Sequence, residues 1–389
     1  MVLREYAERY RRNLLESVIP FWMKHSIDQE FGGYFTCLDR DGSVFDTRKY
    51  VWLQGRQVWM LSKMYNEIDR RRDWIEAAKN GVDFLRNHVR DAQGRCYFSL
   101  TREGAPSFYQ RKPYGAVFVM LGYLEYSKAA SDKSCREEAL ELFDQIEQWI
   151  AQPALLGRPE LQGAPQAAQL ADVYVIASMA LELFRATGDD RWRVPMRTCQ
   201  ENVLPHFDPE TGLLMEMAGP DLRRYPEGRL VCAGSVFEIA WFLFRILEVE
   251  PNDVLRARLL RAVQAALEFS WDQEYSGFYY FQDIEGKPTL QLEASMKLWW
   301  VHAEALCCLV HCYALTGDSM WLRWLERVDR YVFDRFVDPE YGEWFGYLHR
   351  DGAPALTLKG NNYKGCFHVP RALLLSFLKI EQIEGTKIR

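Results

Sequence analysis

A histidine and an arginine three residues apart are the strongest candidates for chemistry in this sequence. His368 and Arg371 lie in the run KGCFHVPR, which predicts a helix start, so the two side chains would share the face of its first turn. An imidazole in that position is suited to proton transfer with a bound substrate. Glu238 precedes the apolar run IAWFLF, where a carboxylate is costly to bury without a partner, and Glu304 lies one helical turn after Trp300. These residues predict acid–base chemistry by His368, with Glu238 or Glu304 as a base or orienting group.

Other polar residues in the same kind of segment are candidates for substrate binding. Arg56 is followed by Val58 and Trp59, so its guanidinium is either buried and able to bind a hydroxyl or carboxylate, or part of a rim ion pair. His302 is near Glu304 in the chain but on a different part of the helix surface. The candidate binding residues are Arg56, Arg371, Trp52, Asp172, Ser235, His302 and Lys297.

The sequence has no signature of a metal or nucleotide site. The motifs HExxH, GxSxG, Walker A and GxGxxG are absent, and neither a metal nor another cofactor is expected. Nine cysteines without a CxxC pair are typical of reduced core thiols. The trio Cys307, Cys308 and Cys312 beside His311 favours a helix core over metal ligands.

Composition narrows the class of protein. The chain has 389 residues, 48% of them hydrophobic, with a net charge of −6 and no basic tract, so a globular protein that binds no nucleic acid is expected. No apolar stretch approaches the roughly 20 residues of a membrane-spanning helix, and the charged N-terminal segment is unlike a signal peptide. We therefore expect a cytoplasmic protein outside the membrane. Aromatic residues reach 14%, which indicates aromatic packing or a cleft that presents ring faces to a sugar.

An internal repeat positions the candidate residues. Five segments begin with an acidic turn and a glycine and continue into an apolar or aromatic run; they start at Asp28, Asp91, Asp208, Asp272 and Asp338. These aspartates are 63, 117, 64 and 66 residues apart, which indicates a period of about 65, with one degenerate repeat, and about six repeats. Each segment predicts a short β-hairpin or its remnant.

Helical patterns fill the space between hairpins, usually as two consecutive stretches. About twelve helices are expected, which predicts an all-α fold: an (α/α)6 barrel with short β-hairpins on one rim. An open superhelical solenoid is the alternative, and closure is favoured by the aromatic hairpins. No linker divides the chain, so one domain is expected over residues 1–389. The helix after each hairpin would line the barrel, with its first turns near the rim.

Five runs in these segments resemble the N-acylglucosamine 2-epimerase family: KYVWLQGRQVWM (Lys49–Met60), GRPELQGAP (Gly157–Pro165), KLWWVHAE (Lys297–Glu304), DPEYGEWFGYL (Asp338–Leu348) and KGCFHVPR (Lys364–Arg371). The resemblance implies an (α/α)6 barrel, often a homodimer. It also implies proton abstraction next to a sugar carbonyl by one histidine and return of a proton to the other face by a second. One of these histidines matches His368, while Arg371, Arg56 and Glu304 match pocket residues.

The second histidine of the family is replaced here. Its motif NPGHxxE reads Cys232–Glu238 in this sequence, with Ser235 in the place of the histidine. Other departures occur at Tyr114–Phe118, Ala171–Tyr174, which adds Asp172, and Leu292–Ala294. Because a serine hydroxyl is a poor acid–base group at neutral pH, the sequence favours aldose–ketose isomerisation of a free sugar by one base over 2-epimerisation.

Three alternatives stay open at this point. Asp172 or Glu238 would supply the second proton if epimerisation persists. A glycoside hydrolase would use two carboxylates from Asp172, Glu238 and Glu304. A relative without catalytic activity would bind only a sugar or a protein.

Overall fold

The protein is described here by a computed structural model, which covers residues 3–109, 112–157, 162–163 and 166–385. Within the run Gly157–Pro165, residues 158–161 and 164–165 lie outside the described residues. No described helix combines the length and the apolar character needed to cross a membrane.

Six helices form an inner ring, and each follows a rim hairpin or its remnant. The inner helices are α3 (Val51–Glu67), α5 (Tyr114–Ala130), α7 (Leu170–Thr187), α9 (Ala233–Leu247), α11 (Trp299–Thr316) and α13 (His368–Glu384). Each inner helix packs against the next one in the chain, and α13 completes the set beside α11.

The outer layer supports each inner helix with one partner. The outer helices are α4 (Arg72–His88), α6 (Lys133–Ala151), α8 (Arg193–Asn202), α10 (Asp253–Ser270) and α12 (Ser319–Arg335). The sixth outer partner is the opening segment, in which α1 (Leu3–Asn13) continues through a π-helical turn (Leu14–Val18) into α2 (Ile19–His25). Because α1 packs on α13, the first and last helices of the chain form the sixth pair.

The ring closes between α3 and α13. The rings of Trp59 and Phe367 meet edge to face with centroids 5.5 Å apart, and Arg56 of α3 contacts His368 of α13. These contacts join the first inner helix to the last. The predicted (α/α)6 barrel is confirmed, and the open solenoid is excluded.

Glycines allow α3 and α5 to pack with their backbones close together. A Cβ atom at Gly55 would lie 2.4 Å from the backbone of Phe118, and one at Gly122 would lie 2.8 Å from the carbonyl oxygen of Gly55. Any side chain at these positions would push the two helices apart. Their close packing brings Arg56 and Phe118 together.

Small sheets lie at the rim of the barrel, where the inner helices start. Their strands are β1 (Cys37–Leu38), β2 (Val44–Asp46), β3 (Lys49–Tyr50), β4 (Tyr97–Leu100), β5 (Pro106–Tyr109), β6 (Ala168–Gln169), β7 (Met217–Ala218), β8 (Leu230–Val231), β9 (Gln282–Asp283), β10 (Lys297–Leu298), β11 (Tyr347–Leu348) and β12 (Pro354–Leu356). All pairings are antiparallel, in the sheets β1-β2, β3-β4-β5, β6-β7, β8-β9 and β10-β11-β12. An isolated bridge also spans each of the five acidic turns, which confirms the repeat seen in the sequence.

Buried ion pairs hold three of these turns, and we call them the rim triads. Each consists of the leading aspartate, a buried lysine further along the chain and an arginine from a neighbouring turn. The rim triads are Asp28–Lys49–Arg102, Asp272–Lys297–Arg350 and Asp338–Lys359–Arg40. In all three the lysine and the aspartate are buried, while the arginine is partly exposed.

The cysteines follow the core pattern expected from the sequence. All nine are free and buried. His311 bonds within its own helix, since its Nδ1 lies 2.9 Å from the carbonyl oxygen of Cys307. This cluster is part of the core of α11.

Candidate active site

The first turns of the inner helices surround a cavity of about 460 Å³ that opens at the rim. Half of its lining residues are tryptophans and tyrosines, and most of the others are polar or charged: Trp52, Arg56, Tyr174, Ser235, Glu238, Tyr280, Gln291, Glu293, Leu298, Trp299, Trp300, Tyr347, Tyr363 and His368. A cavity of this kind suits a small polar ligand with apolar ring faces.

His368 is held in one orientation by a buried carboxylate. It is the first residue of α13, and its Nδ1 lies 2.8 Å from Oε1 of Glu304, which is fully buried. Because a carboxylate oxygen accepts, Nδ1 donates the proton, and Nε2 keeps the lone pair. Pro370 is tolerated two residues later because the first turn of a helix needs no backbone donor there. The unprotonated nitrogen of His368 is therefore the one suited to act as a base, and Nη1 of Arg56 lies 3.3 Å from it.

Arg371 joins the two carboxylates of the site. Its Nη2 donates to Oε1 of Glu238 at 2.5 Å and to Oε1 of Glu304 at 2.7 Å. Burial alone would lower the pKa of Arg371, but the charges of Glu304 and Glu238 outweigh burial and raise it. The ligand atoms of Glu238, Glu304 and His368 lie within 4.8 Å of one another, a grouping that also suits a metal ion. Here the guanidinium already supplies the balancing positive charge.

Aromatic donors fix the remaining carboxylate oxygens. The hydroxyl of Tyr174 donates to Oε2 of Glu238 at 3.1 Å, and Nε1 of Trp241 donates to Oε2 of Glu304 at 2.7 Å. Every oxygen of Glu238 and Glu304 is therefore engaged, an arrangement that suits groups that orient their neighbours.

Arg56 lies among aromatic rings without a carboxylate partner. Its guanidinium carbon is 4.0 Å from the ring centroid of Phe118, 4.6 Å from that of Phe367 and 4.8 Å from that of Trp52. Among the described residues no carboxylate forms an ion pair with Arg56, and its Nε is buried without a hydrogen-bond partner. Burial lowers the pKa of Arg56 to about 9 despite the charge of Glu238. The group is still a cation at neutral pH, with unused capacity to bind an oxygen atom.

The environment of His368 keeps its imidazole neutral. Burial comes first among the causes that lower its pKa well below the usual value, and the neighbouring charge of Arg56 adds to it. Nη1 of Arg56 lies 3.3 Å from Nε2, and the position at a helix N-terminus also disfavours a positive charge. At neutral pH the histidine is therefore in the form that accepts a proton.

Ser235 lines the same cavity from the first turn of α9. The preceding Gly234 packs against the indole of Trp300, because a Cβ atom at position 234 would lie 2.6 Å from that ring. The ring of Trp300 also lies 5.7 Å from that of His368, centroid to centroid. Trp300 thus lies against both the start of α9 and the start of α13, and Ser235 and His368 line the cavity from different helices.

The sequence-predicted residues fall into two groups. The structure brings together His368, Glu238, Glu304, Arg56, Arg371, Trp52 and Ser235. Trp52 is half-buried and donates from Nε1 to the carbonyl oxygen of Asn362 at 3.1 Å.

Three other predicted residues lie outside the cavity. Lys297 is fully buried in a rim triad, with Nζ 3.0 Å from Oδ2 of Asp272. His302 is fully buried, accepts from the backbone N–H of Phe278 at 3.0 Å, and has a pKa that burial lowers to about 3. Asp172 accepts from the hydroxyl of Tyr114 and lines a separate cavity against α6 and α8.

One acidic group near the site was missed in the sequence. Glu216 lies on the hairpin arm before β7, its Oε1 is buried without a hydrogen-bond partner among the described residues, and burial raises its pKa to about 7. The signal was present in the run LLMEMA, where a carboxylate interrupts the apolar arm that the other repeats fill with aromatic residues. Aromatic partners such as Tyr174 and Trp241 were also missed because their spacing fits an ordinary helix core.

Comparisons with known proteins agree with this architecture. The family model described as N-acylglucosamine 2-epimerase matches residues 33–370. The N-acylglucosamine 2-epimerase of Bos taurus is 40% identical over 96% of this chain and 90% of its own length.

Solved structures show the same fold. Cellobiose 2-epimerase from Bacillus thermoamylovorans superposes with a TM-score of 0.84 at 20% identity, covering 98% of this chain and all of that chain. A D-mannose isomerase superposes with a TM-score of 0.80 at 15% identity over 96% of this chain and 97% of its own. At such identities the likeness concerns the barrel. The family match over residues 33–370 and the 40% identity to a member show that this chain belongs to the N-acylglucosamine 2-epimerase family.

Proposed function

We propose that this sugar epimerase or isomerase acts on a free aldose or N-acylhexosamine and transfers the proton on C2, with His368 as the base. The observation that carries the proposal is the neutral imidazole of His368, which Glu304 orients and which lines the cavity beside the Arg56 cation. The names of the relatives, which act on N-acylglucosamine, cellobiose and mannose, support a sugar substrate.

The site residues divide the chemistry among them. Nε2 of His368 takes the proton from C2, and the electron pair of the broken C–H bond moves into the C1–C2 bond. The carbonyl oxygen on C1 then becomes an oxyanion of an enediolate, or of its acylamino equivalent. Arg56 is placed to stabilise this charge, since its guanidinium is cationic, buried and short of partners. Glu304 stabilises the imidazolium through Nδ1.

The substituent on C2 decides which products are open to the reaction. A sugar with a hydroxyl on C2 can return the proton to C1 and give a ketose, or to C2 and give an epimer. An N-acylhexosamine carries nitrogen on C2, so proton return leads to the epimer or back to the starting sugar. Aldose–ketose isomerisation remains the second candidate because Ser235 occupies the place of the family's second histidine.

The geometry does not favour hydrolysis of a glycoside. A glycosidase needs one protonated carboxyl group and one free carboxylate on either side of the scissile bond. Glu238 and Glu304 both bind the same guanidinium, and Asp172 lies in another cavity. Asp172 and Glu238 are for the same reasons poorly placed to supply a second proton.

The test is incubation of the protein with free hexoses and N-acetylhexosamines in heavy water, followed by NMR. Deuterium should enter C2, and an epimer or a ketose should accumulate. His368→Ala should lower the exchange rate by about 10²- to 10⁴-fold, the usual contribution of a general base. Exchange that survives this substitution would rule out His368 as the base.

We also propose that the protein is a cytoplasmic homodimer. The family resemblance supports the dimer, and the nine free, buried cysteines are typical of a reducing compartment. Analytical ultracentrifugation of the purified chain tests the dimer, and cell fractionation tests the location. A single monomeric species at micromolar concentration would contradict the first part.

A further inference from the structure

Tyr174 brings a phenol hydroxyl group into the active-site cavity from the side opposite His368. The inner helices follow one another around the ring in chain order, so α7, which carries Tyr174, stands three places from α13 in either direction. Both residues line the cavity of about 460 Å³. A substrate in this cavity would therefore have His368 on one side and Tyr174 on the other.

The hydroxyl group of Tyr174 is fixed next to the charged groups of the site. It donates to Oε2 of Glu238 at 3.1 Å, and Oε1 of Glu238 accepts from Arg371 at 2.5 Å. One oxygen of Glu238 lies within 4.8 Å of a ring nitrogen of His368. The phenol ring packs on Phe242, with the centroids 5.7 Å apart. A small ligand in contact with His368 is thus close to the Tyr174 hydroxyl as well.

The oxygen of Tyr174 has hydrogen-bonding capacity left for a substrate. Among the described residues no group donates a hydrogen bond to it, so its lone pairs are open. Its bond to Glu238 at 3.1 Å is longer than the roughly 2.5–2.7 Å that is typical of a hydrogen bond from a hydroxyl to a carboxylate. The hydroxyl can therefore turn to a better acceptor, and an enediolate oxygen is one.

The phenol of Tyr174 keeps its proton at neutral pH. Burial, and then the charge of Glu238, raise its pKa well above the usual value, although Arg371 opposes this effect. Such a phenol is a poor base towards a C–H bond. An enediol hydroxyl is a comparably weak acid, so the phenol is suited to donate to, and exchange a proton with, the oxygens of an enediolate.

We propose that Tyr174 is a catalytic residue that donates to the carbonyl oxygen on C1 and carries the hydroxyl proton of C2 to that oxygen, so that the site converts a 2-hydroxy aldose into its ketose. The proposal rests on the function proposed above and selects aldose–ketose isomerisation among its outcomes. Ser235 in the place of the second histidine fits the same reaction, because one base for the carbon-bound proton is enough.

The protons and electron pairs balance in this reaction. Nε2 of His368 takes the proton from C2, the C–H electron pair forms the C1–C2 double bond, and the carbonyl pair moves to the oxygen on C1, which takes the proton of Tyr174. The phenolate oxygen then takes the proton of the hydroxyl on C2, and that O–H electron pair forms the new carbonyl group at C2. The pair of the C1–C2 double bond takes the proton of His368 at C1. Both residues return to their resting forms.

Tyr174→Phe is the sharpest variant, because it removes the hydroxyl and keeps the ring that packs on Phe242. The probes are D-glucose and D-mannose in heavy water, with NMR detection of ketose and of deuterium at C2. Ketose formation should fall about 10²- to 10³-fold, the usual cost of losing one donor to a developing oxyanion. C2 exchange should fall less, because Arg56 still stabilises the enediolate. The amount of ketose formed per exchange event should therefore fall too, whereas a merely structural role would lower both rates together.

A control and a rescue accompany this variant. Tyr126→Phe on α5 is the matched control, since Tyr126 is also a buried phenol, with a pKa that burial raises to about 12, and it does not line the cavity. It should leave ketose formation and C2 exchange unchanged. Tyr174→His supplies a group that both donates and accepts, and it should recover part of the ketose formation that Tyr174→Phe loses. Rates are compared per folded molecule, which near-ultraviolet circular dichroism measures.

Each outcome decides the matter. A parental ratio of ketose to C2 exchange in Tyr174→Phe would overturn the role of Tyr174 and leave the proposed function standing. Epimer without any ketose in the parent protein would do the same, and this arm does not depend on how well a variant folds. No C2 exchange with any sugar would overturn the proposed function and this proposal with it.

Discussion

The rim triads and the active site are built from the same charged residue types, but they differ in how completely the charges are matched. In the rim triads each aspartate binds a lysine and an arginine, and also accepts from backbone N–H groups. For Asp28, hydrogen bonds from Arg102 and Lys49 overcome the opposing effect of burial and lower the pKa to about 2. Such carboxylates stay ionised and fixed.

The active site leaves some of its polar atoms unmatched. Nε of Arg56 and Nε of Arg371 are buried without hydrogen-bond partners in the described part of the chain. Burial lowers the pKa values of Arg56 and His368, which means that the surroundings disfavour the charged forms of both side chains. A substrate that brings hydroxyl and carbonyl oxygens would complete these contacts. We infer that full matching produces a structural support and partial matching produces a site ready for a ligand.

The largest effect that separates the two regions is expected from Glu304→Gln. The amide can still accept from Trp241, but it no longer balances Arg371 or holds the His368 tautomer. C2 exchange should fall by about 10²- to 10⁴-fold, by analogy with the general cost of losing a carboxylate behind a catalytic histidine. The free energy of unfolding should change by about 1 kcal/mol, as for one altered hydrogen bond. A protein that loses mainly stability would place Glu304 with the rim triads.

The opposite result is expected from Asp272→Asn in a rim triad. The substitution leaves Lys297 buried without a counter-charge, a loss that typically costs about 3–5 kcal/mol of unfolding free energy. Urea denaturation measures this cost, and C2 exchange per folded molecule should stay within about threefold. Glu274→Gln is the control, since this partner of Arg350 has a side chain 61% exposed, and it should hardly move the urea midpoint. Loss of exchange without loss of stability would assign Lys297 to the site.

Much of the fold was readable from the sequence because repetition makes it redundant. Five acidic turns with similar spacing predicted the hairpins, and the helical patterns between them predicted the barrel, which the structure confirms. His368, Arg371, Arg56 and Glu304 could be picked out because each interrupts an apolar pattern at the start of, or within, an inner helix. That residues 1–389 form a single domain, and that the site residues have the roles expected of them, stay predictions.

The assignment of Lys297 shows where the sequence misleads. It precedes an inner helix, as the site residues do, but it is the repeat equivalent of Lys49 and Lys359. These lysines follow their aspartates by 25, 21 and 21 residues, respectively. The similar spacing indicates a structural ion pair, and the position of Lys297 before one helix could not reveal it. Glu216 escaped for the converse reason, because its burial depends on Leu170 and Leu230, which come from other parts of the chain and are brought together only by the fold.

Acid should weaken the stabilisation that the rim triads provide, whereas the base in the active site should stay unprotonated. The aspartates of the rim triads have lowered pKa values, so their stabilisation is complete above the unfolded value of about 4 and is lost as the pH falls through about 2 for Asp28. For Asp272 and Asp338, hydrogen bonds from arginine and lysine also outweigh burial and lower the pKa. Unfolding free energy, measured from pH 6 to pH 2, should therefore decline below about pH 4.

C2 exchange provides the contrasting pH readout. Because the pKa of His368 is lowered well below its usual value, the base stays unprotonated as the pH falls below 6.5, and exchange should persist while the protein is folded. At the alkaline end, exchange should decline near pH 9, where Arg56 loses its charge. A midpoint of exchange near pH 6.5 would show that His368 is a solvated histidine and that the two regions are less different than proposed.

The smallest effect expected is that of exchanging arginine for lysine in each region. Arg56→Lys keeps the charge but loses the planar group that stacks on Phe118, Phe367 and Trp52, so kcat/KM should fall about tenfold. Arg350→Lys keeps a cation near Asp272 at a position where the side chain is 42% exposed, and the thermal midpoint should move by no more than about 1 °C. The two effects differ because Asp272 has two cationic partners and Lys297 still neutralises it when Arg350 is changed. No second cation in the site has the position of Arg56. Equal and small effects of both substitutions on kcat/KM would mean that Arg56, like Arg350, contributes only charge.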